Sequence, residues 1–203
     1  MISFDRVNGK NTGPRGPERQ MKEPSGAPES AGKRPMIPDL VASVLMVALL
    51  VASALIDAPS LPIATAAGVA LLVIAIYLVV SPFFFLARHG DVRDGDPFYA
   101  TREVVTSGPY RLVRHPQYLG YCLLAVGLAI LNPAPLIVAL ALAASVFFYI
   151  QSVHEERFCR QYLGRAYESY AKRVPRFNLA AGLIRLISSR PGDPQERDAS
   201  AGT

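Results

Sequence analysis

From residue 36 to residue 87 the chain contains no lysine or arginine, and this gap constrains the fold more than any other feature. Within it lie two apolar runs, 40–56 and 61–87, joined by Asp57-Ala58-Pro59-Ser60. About 20 apolar residues wound as a helix cross the roughly 30 Å hydrocarbon core of a bilayer, so each run is expected to be a span. A second charge-free stretch, 119–150, is broken by Asn132-Pro133. Its halves are short for independent spans, which predicts a tight helical hairpin. The first of these helices can begin as early as Pro116, because proline suits a first helical turn.

Composition agrees. Only 18% of the 203 residues are charged and 51% are hydrophobic, whereas a soluble domain is nearer a quarter charged. The length allows one compact domain. Cys122 and Cys159 are the only cysteines, too few for a disulfide framework and without a paired metal-ligand motif. Extracellular scaffolds and zinc modules are excluded, and no metal is expected.

The 21 lysines and arginines fall in three places: seven in residues 1–38, five between Arg88 and Arg114, and nine after Ile150. Neither short connection carries one. The positive-inside rule then puts both termini and the long loop in the cytoplasm. A nucleic-acid role is excluded, since the positive charge is divided among three membrane-proximal segments and reads as topology and headgroup contact. Ten of the first 36 residues are Gly or Pro, which predicts a disordered cytosolic tail over 1–37. The apolar run begins too late, and lacks a cleavage site, for a signal peptide. The expectation is an all-α, polytopic protein of the cell inner membrane. It has about four transmembrane helices, a C-terminal helical hairpin with a cytosolic helical extension, a membrane domain over 38–189 and a disordered tail over 190–203. The apolar stretch 179–187, with Arg185 embedded, reads as a short amphipathic helix in the interface. Oligomeric state is not legible.

Two polar segments are more specific than topology requires. The first reads Glu103-Val-Val-Thr-Ser-Gly-Pro-Tyr-Arg-Leu-Val-Arg-His-Pro-Gln-Tyr-Leu-Gly120. The second starts at His154-Glu155-Glu156-Arg157-Phe158-Cys159-Arg160 and continues through Tyr162, Gly164, Tyr167, Tyr170 and Val174-Pro175-Arg176. If the last span runs to a stop at Gly164, it is about 45 Å long and Glu156 lies roughly 9 Å beyond Ile150. The hairpin is antiparallel, so His115 and Tyr118 can face Glu156 across a cleft with an apolar floor and a cationic, aromatic rim. A carboxylate pairs with an ammonium or sulfonium, tyrosine faces attract such cations, and arginine or a helix N-terminus holds a carboxylate. These are the needs of S-adenosylmethionine.

The ordered pattern around the hairpin, from Val105-Thr-Ser-Gly-Pro-Tyr110 through Arg114-His-Pro-Gln-Tyr118-Leu-Gly120 to Glu155-Glu156, Gly164, Tyr167, Tyr170 and Val174-Pro175, resembles the isoprenylcysteine carboxyl methyltransferase and phospholipid methyltransferase family. The likeness covers residues 103–177. It implies an integral membrane methyltransferase using S-adenosylmethionine on the cytosolic side, with Val105, Thr106, Tyr110, His115, Pro116, Gln117, Tyr118, Gly120, Glu155 and Glu156 as the cofactor site. His115 and Glu156 are the candidates for catalysis, needed as a base when the methyl acceptor must lose a proton. The acceptor implied is a lipophilic small molecule, a lipid or a prenylcysteine-like group. Two positions depart from the prenylcysteine enzymes of that family. Glu103 stands where they have histidine, and Gln151-Ser-Val-His154 stands where they place an arginine before the glutamate.

Other readings compete for some of these residues. Tyr167 and Tyr170, at i and i+3, suit interfacial anchoring as well as a site, and Arg114 suits topology as well as a site. His-Glu-Glu-Arg-Phe opens like a zinc-protease motif, but Phe158 stands where the second histidine is required. The alternatives for the whole chain are a membrane reductase of related architecture that uses NADPH, and a non-enzymatic membrane protein that has kept the fold.

Overall fold

The computed structural model describes residues 36–90 and 103–188. Residues 1–35 and 190–203 of the two expected tails, and 91–102 of the long loop, lie outside the described residues. Five α-helices are present there: α1 (Met36–Leu55), α2 (Pro62–His89), α3 (Pro116–Leu131), α4 (Pro135–Arg173) and α5 (Leu179–Ser188), with a 3-10 turn at Gly108–Arg111. The all-α, membrane-spanning architecture is as expected. Proline opens α2, α3 and α4 at the first or second helical position, where its missing N–H has no intrahelical partner to lose. Residues 36 and 37, expected in the tail, are already helical.

Among the described residues, three helices are long and apolar enough to cross a membrane: Ile37–Leu55, Pro62–His89 and Pro135–Arg173. The fourth expected span, α3, has 16 residues and a length of about 24 Å, short of the hydrocarbon core. Pro116 fixes one end and Asn132-Pro133 the other. Its partners are α2 on one side and α4 on the other, and α1 leans on α4 rather than on α2, its neighbour in the chain.

Small residues let these helices approach closely. A Cβ on Gly120 would stand 3.0 Å from the Ala75 carbonyl oxygen, and one on Gly68 would stand 2.7 Å from Leu131. Ala42, Met46 and Leu49 of α1 join Ala125 of α3 and Ile137, Ala141, Ala144 and Phe148 of α4 in one buried cluster. The opposite surfaces expose Val44, Val47, Val73, Ile76, Phe84, Leu142 and Val146, an apolar exterior suited to lipid. At the connections between helices, the Asn132 side chain donates to the Ile56 carbonyl.

The last helix departs from expectation. Gly164 does not stop it. Its φ of 54° and ψ of −133° interrupt the helix, which then resumes as far as Arg173. The positive φ favours glycine. Beyond the interruption the chain returns toward α3, and the Arg114 N–H donates to the Pro175 carbonyl at 2.9 Å.

Candidate functional site

The site is assembled where α3 begins and α4 leaves its apolar stretch. Gly108, with φ of 57°, turns the chain over the Phe85 ring, where a Cβ would lie 2.4 Å from ring carbons. Val113 is fully buried and anchors the loop against Leu78 and Leu119. Arg114 and His115 follow directly. Pro116 starts α3, so the position of His115 is set by the helix start.

Glu156, 3% exposed, faces them from α4. Arg114 Nη1 lies 2.5 Å from its Oε1. Arg176 donates from Nε to Oε1 at 3.1 Å and from Nη2 to Oε2 at 2.6 Å, the two-point fit of a guanidinium to a carboxylate. Arg160, one turn along, is 3.9 Å from Oε2. His115 Nε2 stands 3.7 Å from Oε1, too far for a hydrogen bond. Burial alone would raise the Glu156 carboxyl, but the Arg176 and Arg114 guanidiniums outweigh it and hold the group well below the usual carboxylate range. The hydrogen bond to Glu156 in turn holds Arg176 firmly charged.

Around this centre lies an aromatic shell. Tyr118 donates to Glu155 Oε2 at 2.6 Å, and its ring lies beside His115. Arg176 Nη1 donates to the Tyr149 hydroxyl at 3.0 Å, with its guanidinium 5.5 Å from that ring's centre. Beyond Gly164, Tyr167 and Tyr170 pack edge to face, and the Tyr170 hydroxyl donates to the Tyr110 carbonyl at 2.8 Å. Burial pushes the hydroxyls of Tyr110, Tyr167 and Tyr170 well above the ordinary tyrosine value, so they remain protonated.

Among the described residues, Arg114 Nε, His115 Nε2 and the Tyr167 hydroxyl are buried without a hydrogen-bond partner. Leaving such a group unpaired costs about 1–3 kcal/mol. Arg114 and His115 flank the Glu156 carboxylate, and with Tyr167 they make a set of polar atoms with capacity to spare. With Arg114, Arg160 and Arg176 about Glu156, the centre also carries more positive than negative charge. It can orient an anionic group while Glu155 and the tyrosines meet a cationic one.

The structure brings His115, Tyr118, Glu155 and Glu156 together. Pro116 is buried at the head of α3, and Gln117 donates to the Tyr121 hydroxyl at 3.2 Å. Val105 is buried and Thr106 exposed, while Tyr110 joins through its carbonyl. Gly120 lies in the α2–α3 contact, away from the carboxylate cluster. The residues that sequence reasoning passed over are Arg176 and Tyr149. Arg176 stood in view within Val174-Pro175-Arg176, but the return of the chain after Gly164 that aims it at Glu156 has no linear signature.

The family described as phospholipid methyltransferase matches residues 63–166, just over half of the chain. Similar proteins include a probable protein-S-isoprenylcysteine O-methyltransferase of Oryza sativa subsp. indica, 44% identical over 73 residues that are 36% of this chain and 38% of that protein. The protein-S-isoprenylcysteine O-methyltransferase B of Arabidopsis thaliana is 36% identical over 74 residues, again 36% and 38%. A Delta(14)-sterol reductase of Mus musculus is 35% identical over 83 residues, 39% of this chain and 19% of that protein. The chain thus spans less than two fifths of the length of these relatives. No solved structure matches it.

Proposed function

This chain belongs to the phospholipid methyltransferase family, and from that premise we propose that it is an integral membrane methyltransferase using S-adenosylmethionine. Its acceptor is a lipophilic small molecule, a lipid or a prenylcysteine-like group. The reaction takes place at the cytosolic face of the cell inner membrane, with both termini on that side. The observation that carries the proposal is the trio of buried unpaired atoms, Arg114 Nε, His115 Nε2 and the Tyr167 hydroxyl. Arg114 and His115 are neighbours at the head of α3 beside the arginine-bound Glu156 carboxylate, and Tyr167 comes from beyond Gly164.

The residues present fit that cofactor. Arg114 and the Tyr167 hydroxyl would take its carboxylate. Glu155 and Tyr118 would take its cationic end, with Val105, Thr106, Tyr110, Pro116 and Gln117 as the supporting wall, while Gly120 holds α3 against α2 away from the cluster. When bound, it supplies a methyl group on a positively charged sulfur. What the chain itself contributes is alignment, which can be worth roughly 7–11 kcal/mol in such a displacement.

Glu156 and His115 then divide the work. Glu156 is ionised and saturated by guanidinium groups, so it is a poor base; its part is to fix Arg114 and Arg176. His115, with Nε2 unpartnered and at the mouth of α3, is the group that can accept a proton when the acceptor is a thiol or an amine. A carboxylate acceptor needs no base at neutral pH.

Calorimetric titration of detergent-purified protein with S-adenosylmethionine and, separately, NADPH tests the proposal. Binding of the former alone, weakened at least tenfold by Glu156→Ala and by His115→Ala, is the expected result. The similarity to a sterol reductase favours the second reading, a membrane reductase, and binding of NADPH alone would replace the first with it. Failure of folded protein to bind either would favour a non-enzymatic membrane protein.

A further inference from the structure

We propose that α5 is an interfacial membrane element whose outward face, Leu183, Ile184 and Ile187, lies in the lipid of the leaflet nearest the site. Depth is the first argument. Phe177, just before α5, and Leu179, its first residue, pack against the buried cluster of Leu78 of α2, Val113, and Leu119 of α3. Leu119 is about 5 Å into α3 from Pro116, and Leu78 is about 16 Å from the His89 end of α2. Both helices are apolar along these stretches. The start of α5 is therefore pinned below the ends of the bundle, at a level where the neighbouring side chains face hydrocarbon.

The orientation of α5 is the second argument. Asn178 caps it, its side chain accepting from the Ala181 N–H at 2.9 Å. Gly182 lies directly on the Leu112 carbonyl, where a Cβ would be 2.1 Å from the oxygen, so this face cannot rotate away. Arg185, the one charged residue of the helix, is turned back to donate to the Arg111 carbonyl. What remains outward is Leu183 at 50%, Ile184 at 65% and Ile187 at 76% exposed. A surface facing water would have placed the arginine outward and these three inward. The outward face is apolar like the exposed exterior of the bundle. A bilayer is the one occupant that suits both.

The test places a nitroxide at Ile184→Cys and Ile187→Cys, with Glu168→Cys as an exposed reference, in a Cys122→Ala, Cys159→Ala background. The protein is reconstituted into phosphatidylcholine–phosphatidylglycerol vesicles. Relaxation by oxygen, which concentrates in lipid, is compared with relaxation by a water-soluble nickel chelate. The proposal expects the oxygen-to-nickel ratio at 184 and 187 to exceed that at 168 several-fold. Ratios equal to that at 168 would put α5 in water and overturn it. Exclusion of both reagents, with dipolar broadening between labelled copies, would assign the face to a second copy of the chain and overturn it as well. Should the cysteine-free background fail to fold, a photo-crosslinking side chain at Ile187 in the otherwise native protein decides instead. Capture of lipid supports the proposal, and capture of another protein chain overturns it.

Discussion

At Glu156 burial and charge act in opposite directions, and the arginines prevail. A carboxyl whose pKa is lower in the folded than in the unfolded state adds stability above its unfolded value, about 4.3. It gives that stability back as the pH falls below that value. The protein is therefore expected to lose stability on acidification through the region below about pH 4.3, and Glu156→Gln should flatten that part of the profile. Thermal unfolding in detergent between pH 3 and pH 7 checks this; an unchanged acid limb in the variant would remove Glu156 from the account. Tyr167 makes a sharper probe of the site. Its hydroxyl has no partner among the described residues, so Tyr167→Phe should leave melting unchanged or slightly raised, while binding of S-adenosylmethionine weakens by roughly tenfold, the equivalent of about 1.4 kcal/mol. Reduced melting with undiminished binding would make the tyrosine a structural anchor.

Among the elements, Gly164 and Gly120 separate two uses of glycine. At Gly164 a Cβ would meet nothing within 4 Å, so Gly164→Ala is opposed by backbone conformation alone, at about 1–3 kcal/mol. At Gly120 the obstacle is the α2 backbone itself, and Gly120→Val should cost about 1–3 kcal/mol through overpacking. Denaturant titration of both variants compares them, and a neutral Gly120→Val would mean that α2 and α3 can separate freely. The two positions also show what could be read from the sequence. Apolar runs and prolines placed the helices to within a few residues, because a run without charge has one use at this length, and the segments bearing His115 and Glu156 were recognisable by residue type and spacing. Gly164 read as a stop because glycine ends helices far more often than it bends them. The turn there delivers Arg176 to Glu156, and such a return depends on tertiary contacts such as Arg114 to Pro175 that leave no periodic trace. The shortness of α3 was visible in the spacing of Pro116 and Asn132; that it nonetheless serves as the central helix between α2 and α4 was not.

Across the whole molecule, the site and α1 occupy separate parts of the fold. The carboxylate cluster is made by α3, α4 and the segments flanking them, whereas α1 covers Ile137, Ala141, Ala144 and Phe148 on the apolar part of α4 and lies outside the family-matched residues 63–166. Leu49, fully buried in that contact, tests the separation. Leu49→Ala should cost less than the roughly 2–5 kcal/mol of a water-soluble core, because between helices in lipid only packing is lost and no transfer from water is involved. Binding of S-adenosylmethionine should not change; a tenfold loss would show that α1 shapes the site. The pairing of α1 with α4 also bears on biogenesis. About 80 residues separate the end of one from the start of the other, roughly 4–16 s of synthesis at about 5–20 residues per second. During that interval α1 is already in the bilayer while the surface it packs on has yet to leave the ribosome, so the first helix made is among the last to find its neighbour.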